Sequence, residues 1–334
     1  MARKKERAGR FGLLPAALLL GLLLFWGSLG LPEPSRTAAP DIPAADEPLA
    51  LPQMPAEPVM AAESAALPPL PETPAQTETP AVSILGTTSG GSGSGTVYFK
   101  NQTKYEIDME SLLRQPCPVA LGGEGVQVLI MHTHGTEAYT PTDAHPYQAS
   151  GEYRTTDKAC NMLAVGQRIT DLLNERGIST VHSETLNDYP AYNGSYSRAL
   201  KDINAWLKEY PSIQLVIDVH RDAIGTAGKY YKTIAKVDGQ QTAQLMFVAG
   251  TDEGGLKHPD WRKNLTFQAQ LQDQINGAYP GMMRPISIRS GRFNQHVRLG
   301  SMLVEVGSCG NTLEEALAAA EVFARSLADA LLEQ

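Results

Sequence analysis

The sequence predicts an α/β fold: a mostly parallel sheet flanked by helices on both faces, preceded by one transmembrane helix and a disordered linker. Three observations predict it. Short apolar runs alternate with amphipathic stripes of helical period through residues 96–334. An uncharged apolar segment, 11–31, follows a basic N-terminus. Between these two regions, residues 32–95 hold 13 of the 23 prolines and no Phe, Trp or Tyr, which excludes a packed core there.

Residues 1–10 carry five Lys/Arg against one Glu and read as a cytoplasmic basic tail. Residues 11–31 (FGLLPAALLLGLLLFWGSLGL) contain no charge. At ~1.5 Å per residue they span roughly 30 Å as a helix, the thickness of a bilayer core. The run exceeds the ~7–15 residues of a signal-peptide core, so it reads as an uncleaved anchor in preference to a cleaved signal. Everything after Leu31 is then extracytoplasmic. Residues 32–95, with eight acids and one Arg, form an acidic Pro/Ala-rich linker ending in GTTSGGSGSG. Such a composition cannot offset the entropy of ordering, and its role is reach.

The remaining residues, 96–334, are long enough for one sizeable core. Val126–Met131 is an apolar run suited to a buried parallel strand. Asn161–Arg176 is helical, with Met162, Val165, Ile169, Leu172 and Leu173 in one stripe and Gly177 at its end. Ile178–His182 is a second strand, Ser197–Tyr210 a helix closed by Pro211, and Leu215–Val219 a third strand. Tyr230–Val237 and Leu245–Ala249 read as further strands, His258–Tyr279 as a helix and Met302–Val306 as a buried strand. Thr312–Glu333 is a closing helix with Asn311 or Thr312 as N-cap and Glu314 and Glu315 in its first turn.

In parallel sheets the chemistry sits outside the carboxyl ends of the strands. The first strand ends in His132-Thr133-His134-Gly135-Thr136-Glu137 and the third in Asp218-Val219-His220-Arg221-Asp222. The late strand carries Glu305, a carboxylate that is costly inside an apolar run unless paired or functional. Two or three imidazoles and two or three carboxylates would therefore meet on one rim. That inventory suits Zn²⁺ with an open position for water.

Other chemistries are excluded. The net charge of −8 argues against nucleic acid. His220-Arg221-Asp222 copies the kinase tripeptide, but no Gly-rich phosphate loop, strand Lys or Asp-Phe-Gly accompanies it. There is no Gly-x-Ser-x-Gly elbow. Cys117, Cys160 and Cys309 lack zinc-finger spacing and cannot form a disulfide framework. Cys160, on a helix, reads as a small core residue, and nothing visibly activates Cys309.

VLIMHTHGTEAYTP, VIDVHRDA, RFNQH and SMLVEVGSCGNTLEEA, in that order, resemble the stage II sporulation protein P family of endospore-forming bacteria, over most of residues 96–334. The resemblance implies a zinc amidase-like fold and a cell-wall hydrolase related to N-acetylmuramoyl-L-alanine amidases. Its substrate is peptidoglycan, cut between N-acetylmuramic acid and the L-alanine of the stem peptide, with endopeptidase cleavage of crosslinks besides. It implies action during engulfment, from the mother-cell membrane into the intermembrane space, with stage II sporulation proteins D and M as partners. Rival readings are a pure endopeptidase and a non-catalytic wall-binding scaffold.

Carried over residue by residue, the resemblance makes His134 the first metal ligand, with His132 in reserve, His220 the second, and Glu305 the catalytic acid–base. The third ligand departs from the amidase pattern. Asp157, four residues before Asn161, stands where amidases have Glu, and Glu137 competes with it. Arg221, Arg292, Asn294 and Gln295 are candidates for binding stem-peptide carboxylates or carbonyls. His145, His182, His258 and His296 receive no role.

Overall fold

The computed structural model describes residues 81–85, 92–94, 96–149, 153–226 and 228–333. Among these, twelve strands and five helices follow in the order β1 (Ala81–Leu85), β2 (Ser92–Ser94), β3 (Val97–Asn101), α1 (Met109–Leu113), β4 (Val128–Met131), α2 (Met162–Glu175), β5 (Thr180–His182), α3 (Ser195–Glu209), β6 (Leu215–Asp222), β7 (Gly225–Thr226), β8 (Lys229–Val237), β9 (Gln240–Ala243), β10 (Leu245–Gly250), α4 (Trp261–Ala278), β11 (Ile286–Arg289), β12 (Met302–Ser308) and α5 (Leu313–Leu332). The central sheet has the order β2-β3-β11-β10-β12-β6-β4-β5. Five of its neighbouring pairs are parallel, while β2–β3 and β10–β12 are antiparallel. The fold is therefore α/β with a mostly parallel sheet, as the strand–helix alternation implies.

The central strands are buried on both faces, and their alternation divides the core. Val128 and Ile130 of β4, with Leu215, Ile217 and Val219 of β6, pack in the core that includes α2, α4 and α5. Leu129, Met131 and Val216 point the other way, against Ala199 and Ile203 of α3. Helices thus cover both faces, and each fully buried Leu, Ile or Phe contributes roughly 1.5–3 kcal/mol.

Local signals set the helix ends. Asn161 caps α2, its side chain accepting from Leu163 N at 2.9 Å. Gly177, at φ 82°, closes it in the left-handed region. Thr312 and Glu315 form a reciprocal capping box at α5. Small residues Ala316, Ala319, Ala320, Ala324 and Ala328 are buried along that helix.

The structure adds detail to the sequence reading in three places. Tyr230–Val237 is a strand, but in a separate sheet with β1, β7 and β9, because Asp238 and Gly239 (φ 51° and 80°) turn β8 back into a two-residue hairpin with β9. Leu245–Gly250 runs against β12, so the sheet is not uniform in direction. Strands β1 and β2 stand in the last part of the stretch read as linker, whose average composition hid the apolar pentapeptide AVSIL. The basic tail, the candidate anchor 11–31 and most of the linker lie outside the described residues. Among the described residues no helix is long and apolar enough to cross a membrane.

At Gly166 of α2 an added Cβ would stand 2.4 Å from His132 Nε2 and 2.6 Å from His182 Nε2. His132 cannot retreat, because its Nδ1 is bonded to Val219 O at 2.8 Å. Gly166→Val is therefore expected to lower stability by about 1–3 kcal/mol, the usual cost of overpacking. A urea-unfolding midpoint equal to wild type would contradict this account of the contact between α2 and the sheet.

Candidate active site

Strands β4, β6 and β12 run the same way and deliver their carboxyl ends to one rim. Residue pairing sets Met131 beside Asp218 and His220 beside Glu305. Alternation along β6 sends Asp218 and His220 to the face that carries Val216, opposite the α2 side. Along β12 it sends Leu303 and Glu305 there. Strand β6 extends three residues past its expected end, so His220 belongs to the sheet and not to a loop.

His134 reaches the same place through a turn. Thr133 donates from both N (2.8 Å) and Oγ1 (2.6 Å) to the Asp218 carboxylate. The chain swings around this anchor, and the His134 and His220 rings stand 5.2 Å apart, nearly perpendicular. Tyr192 stacks on His134 at 4.5 Å, with Tyr196 edge-on at 5.7 Å. Burial lowers the pKa of His134 to about 3, so the ring is neutral. Its Nδ1 is buried without a hydrogen-bond partner.

Glu137 completes the cluster. Its Oε2 lies 3.6 Å from His220 Nδ1, and its Oε1 lies 3.3 Å from Arg154 Nη2 and 3.8 Å from Arg221 Nη1. Burial alone would raise this carboxyl, but Arg221, His220 and Arg154 outweigh it and hold it well below the usual range. His220 Nε2 lies 2.8 Å from Asp218 Oδ1, a close ion-pair contact poorly aligned with the ring N–H. Burial opposes charge on this ring, and the Asp218 and Glu137 carboxylates overcome that and raise its pKa. Across from them Glu305 is pushed up to about 8, first by burial and then by Asp222, and its Oε2 is buried without a partner. Asp222 itself pairs with Arg284 at 2.8 Å.

Several candidates lie elsewhere. His132 precedes the turn, so it keeps strand alternation and points to the α2 side, 2.8 Å from His182 Nε2. Asp157 is exposed and accepts from Ala159 N at 3.0 Å, shaping the loop before α2 rather than meeting the two imidazoles. Of the two competing carboxylates, the structure brings Glu137 to them. Arg221 is buried, bonded to Ala138 O (2.9 Å) and Tyr153 O (3.2 Å), and supports Glu137 rather than facing a cleft. Gln295 is an internal clamp, accepting from Gly250 N and donating to Val248 O. Asn294 donates to Tyr196 O at 2.9 Å, and Arg292 to Lys257 O at 3.4 Å.

Sequence reasoning missed Asp218, Arg154, Asp188 and the two tyrosines. Asp218 carried a signal, because a carboxylate in VIDVH is as anomalous as Glu305 in its own strand. Arg154 carried none. It lies in a polar loop, yet it reaches Asp188 at 2.8 Å and stacks over Tyr192 at 4.8 Å. Asp188 in turn accepts from Thr136 N at 3.1 Å, tying that loop to the His134 turn.

Among the described residues, no three His, Cys, Asp or Glu side chains already surround one point at ligating distances. The chemistry of the donors is nonetheless that of a zinc site: a neutral imidazole with an orphaned nitrogen, a second imidazole backed by a carboxylate, and an ionised Glu.

The model of the stage II sporulation protein P family matches residues 87–328. The chain belongs to this family. Stage II sporulation protein P of Bacillus subtilis (strain 168) is 26% identical over 245 residues, 68% of this chain. The match spans 57% of that relative's length. Solved structures that resemble the chain include N-acetylmuramoyl-L-alanine amidases. That of Mycobacterium smegmatis is 16% identical, with 65% of this chain and 100% of that one covered and a TM-score of 0.37. That of Clostridium difficile is 16% identical, with 63% and 97% covered and a TM-score of 0.36. That of Nostoc punctiforme is 15% identical, with 63% and 98% covered and a TM-score of 0.34.

The histidines outside the cluster matter for stability. His145 pairs with Glu314 at 2.9 Å. Burial lowers His132 to about 3 and His182, His258 and His296 to about 4 each. In the unfolded chain these rings take up protons near 6.5, so between pH 6.5 and 4 the unfolded state binds more protons. Their contribution is complete above about pH 6.5 and is lost as pH falls. His220, whose pKa is raised by two carboxylates, acts in the opposite sense. The urea midpoint is expected to drop from pH 7 to pH 5, and His258→Phe to flatten that dependence. A pH dependence in His258→Phe identical to that of the unaltered protein would show that the His258 ring is not held neutral.

Proposed function

We propose that the chain is a zinc-dependent peptidoglycan hydrolase of sporulation that cleaves the amide between N-acetylmuramic acid and L-alanine. The observation that carries this reading is the convergence of His134, His220 and Glu137 opposite Glu305 on one sheet rim. Family membership supports it.

His134, His220 and Glu137 would hold the zinc. When bound, the ion polarises the scissile carbonyl and acidifies a water. The chain's own residues supply the rest. Glu305 takes the proton of the attacking water at its orphaned oxygen and returns it to the leaving amine. Asp218 orients the His220 ring, and Tyr192 and Tyr196 fix that of His134. Arg221 and Arg154 keep Glu137 ionised. The placement on the membrane through residues 11–31, with the catalytic part outside, and the partnership with stage II sporulation proteins D and M belong to the same reading and rest on the sequence.

Purified protein loaded with zinc, incubated with peptidoglycan and analysed by mass spectrometry, is expected to release free stem peptides and bare glycan. Intact muropeptides with lost crosslinks would make the enzyme an endopeptidase, and no product would make it a scaffold. Glu305→Gln is expected to cut hydrolysis by about 100- to 10,000-fold, the range for a general base, while bound zinc is retained. Full activity in that variant would remove Glu305 from the mechanism.

A further inference from the structure

Phe293 and Asn294 both adopt the left-handed region, at φ 48° and 54°. For a bulky aromatic this conformation is strained, and two in succession persist only when the surroundings enforce them. The enforcement is visible. Gln295 is bonded on both sides to β10, from Gly250 N at 2.9 Å and to Val248 O at 2.8 Å. Asn264 of α4 holds Gln295 O at 2.9 Å, and Asn294 holds Tyr196 O at 2.9 Å. Gly250 admits the loop because it has no side chain, with Gly291 O standing 2.6 Å from where a Cβ would lie.

The strained turn presents Phe293 next to the catalytic row. Pairing across the sheet sets His220, Glu305 and Met246 side by side, with Leu303 and Val248 in the next row on the same face. Phe293 packs on Met246, Val248 and Leu303 and remains partly exposed. Its ring is 5.8 Å from that of Tyr196, which is 5.7 Å from His134. An aromatic and aliphatic strip therefore begins at the acid–base and the first imidazole and leads away over β10.

Charge divides the surroundings of the cleft. Ion pairs gather at Glu137 with Arg154 and Arg221, and at Asp222 with Arg284. The strip itself contains no ionisable side chain apart from the Tyr196 hydroxyl. The two sides of the scissile amide differ in the same way. A stem peptide carries carboxylates and amines, whereas a pyranose ring offers an uncharged face of C–H groups that stacks on aromatic rings.

We propose that the strip formed by Tyr196 and Phe293 over Met246, Val248 and Leu303 is the subsite for the glycan strand, binding the apolar face of a sugar ring adjoining the scissile amide. This rests on the hydrolase reading above, and it fixes which way the substrate lies: glycan over β10, peptide toward the charged groups.

The test uses the full chain and two probes, a peptide-free oligomer of N-acetylated sugars and an isolated stem peptide, each titrated by calorimetry. Phe293→Leu keeps an apolar side chain but removes the ring, and is expected to weaken the sugar oligomer by about ten-fold or more. Phe293→Tyr is expected to retain it, and neither variant to change stem-peptide affinity. Unchanged sugar affinity in Phe293→Leu, or an equal loss for both probes, overturns the proposal. In the unaltered protein, the sugar C–H resonances are expected to shift upfield on binding, a readout that needs no variant; absence of that shift at saturation also overturns it. Binding of the oligomer requires no hydrolysis, so a protein that fails to cut peptidoglycan but shows these effects would sink the hydrolase reading and leave the subsite standing.

Discussion

Arg221 and Glu137 are both buried, and each charge offsets the desolvation of the other. Removing one partner of such a pair typically costs about 3–5 kcal/mol, because the remaining charge stays out of water unpaired. The pair is also a structural tie. Arg221 belongs to β6 and reaches back to Ala138 O and Tyr153 O, while its backbone N–H donates toward Glu137 Oε2 at 3.4 Å. The segment after β4 is thereby pinned to the end of β6. His220, the neighbour of Arg221 on the strand, points to the opposite face and meets Glu137 from there. A single carboxylate is thus gripped from two directions by consecutive residues of one strand.

The same ties account for the immobility of the two imidazoles. His134 sits between Thr133, doubly bonded to Asp218, and Thr136, bonded to Asp188. Its ring lies against Tyr192, on which Arg154 stacks, and Arg154 returns to Asp188 and Glu137. The circuit closes on itself. Groups tied in this way are ordered by the fold itself. The arrangement also explains why the pKa values of two buried histidines, 5.2 Å apart, shift in opposite directions. His220 faces two carboxylates, whereas His134 faces aromatic rings.

Legibility of the sequence followed locality. The stripe of Met162, Val165, Ile169, Leu172 and Leu173 and the start of the closing helix concern neighbours within a few residues; the stripe stands where the pattern put it, Thr312 is the cap of the two offered, and Asn161, read as the first helical residue, is the cap of α2. The direction of β10 and the separate sheet around β8 depend on pairing between distant strands, and only Asp238-Gly239 left a local trace. At the candidate site, the placement of His220 and Glu305 on one rim was readable because each is a polar anomaly at the end of an apolar strand. His132 and His134 were not separable, since the turn begins between them and period-two alternation ends there. Asp157 and Glu137 were not separable either, because the partner that matters for Glu137 is Arg221, 84 positions away.

The position of Glu305 depends on one irregularity. Strands β12 and β6 pair in step as far as Glu305 with His220, and then Ser308 pairs with Asp222, so β12 holds one residue more. Gly307, at φ 70°, absorbs the extra residue, and a Cβ there would meet Ala243 and the Asn311 side chain at 2.8 and 2.9 Å. Asn311 then receives Ser308 N at 3.0 Å and Thr233 N at 3.2 Å on one oxygen, which locks the bulge onto β8. Such bulges strengthen the local twist and bend the strand. Here the bend falls immediately after Glu305. The strand beyond it turns to meet β8, and the Glu305 carboxylate is left on the face of the imidazoles with no hydrogen-bond partner at Oε2. The second sheet, joined to β12 through Asn311 and Gly307, is therefore part of what places Glu305.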